Sequence, residues 1–223
     1  MKLSIILPVY NEQDNISAAL NNLLPYRQSG HEVIVVDGGS TDNTLMLAHD
    51  AADVVIVSKQ GRAIQMNDGA DVASGDVLLF LHVDTSLPVD ALSLIATHQG
   101  NKYLWGRFDV QLSSNKKIYR VIESLINLRS KLSSIATGDQ AIFVERKLFQ
   151  RMAGFPEIAL MEDVELSRQL KKISAPVCIK QKVITSSRRW EINGVVSTVL
   201  LMWKLRLYYF FGVSPERLSK LYR

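Results

Sequence analysis

The stretch VIVVDGGSTDNT, Val33–Thr44, decides the fold of this chain. The four β-branched residues Val33–Val36 favour a buried strand. The two glycines after Asp37 allow a turn with unusual dihedral angles, and residues 40–42 are typical of a helix N-cap. We therefore predict that Asp37 lies at the carboxyl end of a strand in an open α/β sheet, which is where such sheets bind ligands.

Hydrophobic strands and amphipathic helices alternate through the first hundred residues. This alternation is typical of βαβ units, and it predicts an α/β fold with a Rossmann-like, mostly parallel sheet flanked by helices. The predicted strands are Leu3–Val9, Val33–Asp37, Val54–Val57 and Val77–His82, and the predicted helices are Gln13–Leu24, Thr44–Ala51, Ala63–Ala73 and Asp90–Thr97.

The rest of the chain is less regular and ends in an apolar segment. Residues 195–211 are apolar on almost every helical face, so we predict a C-terminal apolar helical extension over residues 191–223. Before it, we predict strands at Trp105–Leu112, Asp139–Val144 and Val177–Thr185, and helices at Lys116–Leu132 and Met161–Lys172.

The composition, with 47% hydrophobic and 22% charged residues, is ordinary for a soluble globular protein. The N-terminus does not read as a signal peptide, and no apolar stretch is long enough for an ordinary membrane-spanning helix. The single cysteine, Cys178, excludes an internal disulfide and favours a reducing, cytoplasmic compartment. We expect Cys178 to be a buried thiol on a strand.

The net charge of +4 hides a strong asymmetry between the two halves of the chain. Residues 1–112 contain 6 Lys and Arg against 13 Asp and Glu, whereas residues 113–223 contain 20 against 9. A basic half can contact nucleic acid, an anionic membrane or a phosphorylated substrate. Because no compact basic stripe with interleaved aromatic residues is present, we do not expect nucleic acid to be a partner.

Three of the predicted strands end in polar side chains. Tyr10 and Glu12 follow the first strand, Asp37 ends the second, and His82 and Asp84 follow the fourth. Since parallel strands end at one edge of a sheet, these side chains are expected to line one crevice. The spacing of His82 and Asp84 would let both approach a Mg²⁺ or Mn²⁺ ion that also binds substrate phosphates. The alternative for His82 is a core histidine hydrogen-bonded to the backbone.

Charged residues also lie at the starts of two predicted helices. Arg62 could contact a diphosphate with the help of the helix dipole, although a surface arginine is the simpler interpretation. Glu162 and Asp163 follow the turn Gly154–Pro156, and one of these carboxylates could act as a general base. The alternative is that they only complement the helix dipole.

Taken together, these motifs resemble the nucleotide-sugar glycosyltransferases of family two, which have the GT-A fold. The resemblance covers roughly residues 1–190, and its strength lies in the order and spacing of several short motifs. They are PVYNE at 8–12, VDGGSTD at 36–42, GDVLLFLHVD at 75–84, GDQ at 138–140, GFP at 154–156 and ED at 162–163.

The resemblance implies an inverting single displacement in a domain with a nucleotide-sugar half, residues 1–112, and an acceptor half, residues 113–190. Asp163 would deprotonate the acceptor, with Glu162 as the less favoured candidate, and Asp84 would bind the metal that bridges the diphosphate. Nucleotide contacts would come from Pro8, Tyr10, Glu12, Asp37 and Arg62, and acceptor or diphosphate contacts from Gln140, Arg188, Arg189 and Trp190.

Two positions depart from the pattern of the family. His82 stands where the family has the first aspartate of its metal motif, which leaves the ligand set open. The SSRRW segment at 186–190 resembles the Gln-x-x-Arg-Trp motif of processive polysaccharide synthases, but Ser186 replaces the glutamine. We therefore expect a single transfer and not processive synthesis.

The apolar C-terminal segment allows three interpretations. Trp203, Tyr208 and Tyr209 beside Lys204 and Arg206 fit an interfacial helix on an anionic membrane. That placement would suit a lipid-linked acceptor and the cytoplasmic face of a membrane. The other two interpretations are a core helix packed on the sheet and a contact between the subunits of a homodimer.

Two other functions compete with metal-dependent, inverting glycosyl transfer to a hydroxyl or lipid-phosphate acceptor. A sugar-1-phosphate nucleotidyltransferase would need a glycine-rich loop with Arg and Lys after the first strand, and Tyr10–Gln13 offers none. A non-catalytic module that binds nucleotide sugars or lipids would keep the crevice but would not need Asp163 as a base.

Overall fold

The computed structural model describes residues 1–222, which form one eight-stranded mixed sheet with helices on both faces. The strand order is β3-β2-β1-β4-β7-β6-β8-β5. The strands are β1 Leu3–Val9, β2 Glu32–Asp37, β3 Val54–Val57, β4 Val77–Phe80, β5 Thr85–Ser86, β6 Trp105–Leu112, β7 Phe143–Glu145 and β8 Val177–Thr185.

Helices connect most of these strands and follow the last one. The helices are α1 Ile16–Gln28, α2 Thr44–His49, α3 Arg62–Val72, α4 Ala91–Ala96, α5 Lys117–Ser133, α6 Arg146–Arg151, α7 Glu162–Leu170, α8 Arg188–Asn193, α9 Val195–Phe210 and α10 Pro215–Tyr222. Within residues 1–222, no helix is both long and apolar enough to cross a membrane.

The parallel part of the sheet, β3-β2-β1-β4, is buried on both faces. Side chains alternate along each strand, so Ile5 and Val33 pack on one face, where α1 contributes Leu20. Ile6 and Val36 point to the other face, together with residues of α3. This double burial explains why the strands read as nearly unbroken hydrophobic runs.

A glycine brings α3 unusually close to the sheet. A Cβ at Gly69 would lie 2.5 Å from Cγ2 of Ile6 and 2.9 Å from Cγ2 of Val36, so only glycine fits there. Because α3 packs this tightly, its N-terminus and Arg62 are held near the carboxyl edge of the parallel strands.

The other part of the sheet is mixed, but four of the seven strand pairings within residues 1–222 are parallel, so the prediction of a mostly parallel sheet is confirmed. The pairs β4–β7, β6–β7 and β5–β8 are antiparallel, whereas β6–β8 is parallel. A small cluster of Leu112, Tyr119 and Ile122 lies under α5, with Trp190 and Val195 packed against it. The C-terminal helices are thereby attached to the sheet.

Most of the predicted strands and helices are confirmed, with shifts of a few residues at their ends. The predicted strand Asp139–Val144 is wrong in its first half, where residues 138–140 form a 3-10 turn. A capping box between Thr137 and Gln140 closes this turn, and Ala141 then takes a φ of 46°, which a strand does not allow. Cys178 lies on a strand as predicted, although its side chain is only half-buried.

Candidate active site

The ends of β1 and β2 are tied together by a buried glutamine that the motif analysis missed. Nε2 of Gln65 donates to the carbonyl oxygens of Val9 and Val36, both at 2.8 Å. Gly38 is needed beside it, because a Cβ there would lie 3.1 Å from the amide group of Gln65. In the sequence, Gln65 is a polar residue on the otherwise apolar inner face of α3, and this contrast indicates a buried hydrogen-bonding role.

Asp37 lies at the end of β2, as predicted, but its carboxylate is used within its own turn. Oδ2 accepts hydrogen bonds from the amides of Gly39 at 3.0 Å and Ser40 at 2.8 Å, and the Ser40 hydroxyl donates to Oδ1. The side chain is buried. The first role of Asp37 is therefore to shape the loop, and its contact with a nucleotide stays a prediction.

The residues after β1 divide into an exposed aromatic side chain and a helix cap. Tyr10 is 41% exposed, which leaves its ring available for a ligand, and Pro8 before it is half-buried. Glu12 stabilises the start of α1, because its carboxylate accepts from Nδ2 of Asn15 at 2.7 Å and its carbonyl accepts from the Asn15 amide. A nucleotide contact by Pro8, Tyr10 or Glu12 remains a prediction.

The acidic pair at the start of α7 meets the strand-end residues across a narrow cavity. Glu162, Asp163 and Gly138 line it from the acceptor half, and Arg62 and His82 line it from the nucleotide-sugar half. Oδ2 of Asp163 accepts from the Gly138 amide at 2.8 Å. The two halves identified in the sequence therefore contribute to one site.

Burial changes the proton affinity of both acids. It raises the pKa of Glu162 to about 7, and the charge of neighbouring Asp163 adds to the shift. Burial also raises the pKa of Asp163, against the opposing effect of hydrogen bonds from the Gly138 and Val164 amides. A raised pKa makes a carboxylate a better proton acceptor at neutral pH.

Arg62 faces these acids from the N-terminus of α3, where its side chain is exposed to the solvent of the cleft. Loss of hydration lowers the pKa of Arg62, but the negative charges of Glu162, Asp163 and Asp84 outweigh this effect and raise the pKa overall. Arg62 is therefore held as a permanent cation between the acidic pair and the end of β4, which fits a diphosphate contact.

His82 is a neutral imidazole in this site. Burial lowers its pKa to about 3, and the charge of Arg62 adds to that effect. Its Nε2 is buried without a hydrogen-bond partner within residues 1–222, and a Cβ at Gly138 would lie only 2.6 Å from this atom. The alternative of a core histidine hydrogen-bonded to the backbone therefore finds no support at Nε2.

The residues near Asp84 fit a divalent cation only if the substrate supplies further ligands. No cluster of three or more His, Cys, Asp or Glu side chains in the described chain could hold a metal alone. Asp84 is exposed, and burial of its surroundings raises its pKa against a hydrogen bond from Thr85 and the charge of Arg62. Mg²⁺ typically binds one or two carboxylates plus substrate phosphates, which this arrangement allows.

Three of the four predicted acceptor or diphosphate residues make structural contacts, and their contact with a substrate stays a prediction. Gln140 is fully buried, and its side chain closes the 3-10 turn at Thr137. Arg189 stacks on the ring of Tyr222 at 3.7 Å and donates to its carbonyl at 2.8 Å, while Trp190 packs on the cluster under α5. Only Arg188 is exposed and available to a substrate.

An amide clamp joins α3 to the turn before the acidic pair. Nδ2 of Asn67 donates to the carbonyl of Phe155 at 2.9 Å, and Oδ1 accepts from the Phe155 amide at 2.8 Å. Gly154 has a φ of +75° and leaves room for this clamp, since a Cβ there would lie 2.5 Å from Oδ1 of Asn67. The helix that carries Arg62 is thereby fixed to the segment that leads to Glu162.

A mixed sheet flanked by helices, with a polar cleft at the carboxyl edge of its parallel part, defines the GT-A class of glycosyltransferases. Residues 4–153 match the family model described as Glycosyl transferase family 2. The chain belongs to this family, as its motifs predicted.

Relatives and solved structures agree with this assignment. The PGL/p-HBAD biosynthesis glycosyltransferase of Mycobacterium bovis is 33% identical over 66% of the chain and 60% of its own length. Glycosyltransferase AglE of Haloferax volcanii is 39% identical over 38% of the chain and 31% of its own length. The chain thus spans about a third to three fifths of the lengths of these relatives.

Two solved structures show the same fold at low sequence identity. One is TarS of S. aureus in complex with UDP-GlcNAc, and the match covers 83% of this chain and 58% of the TarS chain. Its TM-score is 0.64 at 19% identity. The mannosyltransferase PcManGT from Pyrobaculum calidifontis, in complex with GDP-Man and Mn²⁺, covers 99% of the chain and 67% of its own. Its TM-score is 0.66 at 19% identity. Because the match covers 99% of the chain, it includes the C-terminal helices.

Proposed function

We propose that the protein is a metal-dependent, inverting glycosyltransferase that moves a sugar from a nucleotide-diphosphate donor to an acceptor oxygen. One observation carries this proposal: the acids at 162 and 163 lie in one cavity with Arg62 and His82. A base, a fixed cation and an exposed carboxylate at Asp84 are the groups that this reaction needs.

In the proposed step, Asp163 accepts the proton of the acceptor O–H group while the acceptor oxygen forms a bond to C1 of the sugar. The bond from C1 to the diphosphate oxygen breaks on the opposite face, and its electron pair leaves with the nucleoside diphosphate. Arg62 is placed to bind the developing negative charge. A Mg²⁺ or Mn²⁺ ion held by Asp84 and the diphosphate would neutralise further charge when bound. A single displacement of this kind inverts the anomeric centre.

His82 does not act as an acid in this step, because burial and the charge of Arg62 lower its pKa to about 3. We propose that it supports the metal site as a neutral imidazole or, through its contact with Gly138, positions the amide that binds Asp163. Both roles depend on the ring staying uncharged.

The bound molecules of the structural neighbours support the donor class. TarS is described with UDP-GlcNAc and PcManGT with GDP-Man and Mn²⁺. A thermal-shift screen of UDP, GDP, ADP and CDP, each with Mg²⁺, Mn²⁺ or chelator, tests the proposal for this chain. We expect one nucleotide to stabilise the protein in a metal-dependent way. Equal melting temperatures with every nucleotide would contradict it.

We also propose that the protein contacts an anionic membrane from the cytoplasmic side. The face of α9 that points away from the protein carries an unbroken row of exposed apolar side chains, called here the α9 seam: Val196, Leu200, Trp203, Leu207 and Phe210. It lies in the C-terminal half, which has the excess of positive charge. Apolar area flanked by basic residues favours anionic lipid over a second copy of this chain, which would carry the same charge.

Sedimentation with vesicles tests the membrane contact. The protein should sediment with vesicles that contain anionic lipid and much less with neutral vesicles, and Trp203→Gln combined with Leu207→Gln should reduce the bound fraction. Val89→Asn, at a fully exposed apolar residue away from the seam, is the control. Negligible sedimentation in both cases, or a dimer in solution that the seam variants dissociate, would overturn the proposal.

A further inference from the structure

The backbone that presents the Gly138 amide to Asp163 is also held by a second side chain of α7. Oγ of Ser167 accepts a hydrogen bond from the Ala136 amide at 3.1 Å and donates to the Ala136 carbonyl at 3.4 Å. Two residues further on, the Gly138 amide donates to Oδ2 of Asp163 at 2.8 Å. Ser167 and Asp163 are four residues apart, so they share one side of α7. This helix therefore binds the segment at two points, of which the acid is only one.

The turn that contains Gly138 is also anchored to β6. Oε1 of Gln140, which is fully buried, accepts from the Thr137 amide at 3.1 Å. Nε2 of Gln140 lies 3.5 Å from Oδ1 of Asn127, whose side-chain amide bonds to both backbone groups of Val110, at 2.8 and 3.0 Å. Arg129 adds a long contact from α5 to the Thr137 hydroxyl, at 3.4 Å. The turn is thus held from β6 and α5 as well as from α7.

The hydroxyl of Ser167 serves this segment and not its own helix. Serine is a weaker helix former than alanine, because its hydroxyl competes for backbone hydrogen bonds. Ser167 is buried in the middle of α7, between the buried residues Leu166 and Leu170. A buried hydroxyl is costly unless it is hydrogen-bonded, and both bonds of Ser167 go to Ala136. The residue therefore ties α7 to the backbone that precedes Gly138.

The bond from the Gly138 amide favours the charged form of Asp163. Burial raises the pKa of this acid, and hydrogen bonds from the Gly138 and Val164 amides oppose the effect. The Val164 bond joins neighbouring residues, whereas the Gly138 bond exists only while the turn keeps its place. Other titratable groups also act on Asp163 through their charge, and all of them are kept when only position 167 is changed: Glu162, Arg62, Arg129, Asp139, Arg206 and Tyr209.

We propose that Ser167 is a positioning residue for Asp163: by holding Ala136, it fixes the Gly138 amide against the carboxylate and keeps the acid oriented toward the acceptor. This inference rests on the proposed function, in which Asp163 is the base. It adds a residue that belongs to none of the sequence motifs and lies outside the segment that matches the family model.

Two NMR measurements on the full chain test this role without any substrate. Hydrogen exchange of the Gly138 amide should be about 5-fold faster in Ser167→Ala than in the wild type, because the turn loses a hydrogen-bonded anchor. The pKa of Asp163, read from the carbon-13 signal of its carboxyl group and assigned with Asp163→Asn, should be higher in Ser167→Ala. The reason is that the charged form of the acid loses part of a hydrogen bond.

Ser4→Ala is the matched control. Ser4 is buried at the amino end of β1, at the opposite edge of the sheet from the site, and its hydroxyl also accepts one hydrogen bond and donates one. The bonds come from the Gly75 amide at 2.8 Å and go to Oε2 of Glu32 at 2.6 Å. This variant should leave both NMR measurements as in the wild type. Unchanged values in Ser167→Ala, or equal changes in Ser4→Ala, would overturn the inference.

Turnover separates a positioning role from a purely structural one. Release of nucleoside diphosphate from UDP-GlcNAc and from GDP-Man, with water as the acceptor, gives kcat and KM for each donor. In Ser167→Ala, kcat should fall about 10-fold while KM changes less than about 2-fold, and Ser4→Ala should keep the wild-type kcat. A change in KM at unchanged kcat would overturn the inference. If the wild type releases no nucleotide from either donor, that result counts against the proposed function, and the NMR measurements still decide the inference.

Discussion

The two halves of this molecule position their polar groups by different means. In the nucleotide-sugar half, Asp37 is fixed by amides two and three residues further along the chain. In the acceptor half, Asp163 accepts a hydrogen bond from the Gly138 amide, 25 residues away in the chain. The polar groups of the first half are held by hydrogen bonds between near neighbours in the sequence, whereas those of the second half depend on the packing of distant segments.

Under the proposed function, this difference separates the residues that would hold the substrate from those that would perform the chemistry. Local turns give the nucleotide-sugar half a rigid edge that can exist before any other contact forms. The acidic pair acquires its raised pKa values only when the acceptor half packs over it, because burial is the main cause of both shifts. We therefore expect variants in the acceptor half to affect catalysis and variants in the other half to affect donor binding.

The sharpest test of this comparison is Asp163→Asn. Loss of the general base should reduce kcat about 10²- to 10⁴-fold, with nucleotide affinity changed less than about 2-fold. Steady-state kinetics and nucleotide titration measure the two effects. Asp71→Asn, an exposed carboxylate on α3, is the control and should behave like the wild type. Unchanged turnover in Asp163→Asn would remove this residue from the base role.

A pH-dependent stability gain is expected for Glu162→Gln. The pKa of Glu162 is about 7 in the folded protein against 4.5 in the unfolded chain, so the native state binds this proton more tightly. The stability that the proton confers is complete below pH 4.5 and is lost as the pH rises through 7. At pH 8 the variant should be more stable than the wild type by about 3 kcal/mol, and at pH 4 the two should agree.

Urea unfolding at pH 4 and pH 8 measures this difference. Glu157→Gln, at an exposed position, should show no comparable gain at pH 8. If wild type and Glu162→Gln unfold at the same urea concentration at pH 8, the surroundings of Glu162 do not raise its pKa.

Gly138→Ala should damage both the fold and the site. The new Cβ would lie 2.6 Å from Nε2 of His82, so the imidazole or the 3-10 turn must move. We expect a loss of about 1–3 kcal/mol of stability and about a 10-fold loss of kcat, because the amide that binds Asp163 shifts with the turn. Gly100→Ala, where a Cβ meets nothing within 4 Å, is the matched control for both measurements. Full activity in Gly138→Ala would show that the position of this turn is not critical.

The smallest effect is expected in the nucleotide-sugar half, from Gln65→Leu. The substitution removes the hydrogen bonds to the carbonyls of Val9 and Val36, at a cost of about 1–2 kcal/mol. KM for the donor should rise several-fold while kcat changes little, because the strand ends lose their alignment but the acidic pair does not. Gln99→Leu, at an exposed residue, is the control. A larger effect on kcat than on KM would contradict the division between the halves.

The sequence alone was sufficient for the parallel strands and for the residues at their ends. Four hydrophobic runs between turn residues specify β1 to β4, and the motif order predicts Asp163 and Arg62 in one site, where both line the same cavity. These features could be predicted because buried strands and helix N-termini leave patterns in residues that are close together in the sequence.

Residues in the acceptor half were harder to predict, since their roles depend on partners far away in the chain. The motif around Arg189 predicts a substrate contact, but in the structure Arg189 stacks on Tyr222, which lies 33 residues further along the chain. Gln140 resembled a motif residue of the cleft, but tertiary packing buries it. Arg129 belongs to no motif, and its contact with the Thr137 hydroxyl exists only after folding.

The amide clamp between Asn67 and Phe155 has a consequence for biosynthesis. Its two residues are 88 positions apart, so the clamp cannot close while the ribosome has synthesised only the parallel strands. The carboxyl edge of the parallel strands can therefore form on a nascent chain before the segment that leads to Glu162 and Asp163 is fixed to α3. Under the proposed function, a partly synthesised chain would bind a nucleotide sugar before it can hydrolyse or transfer it.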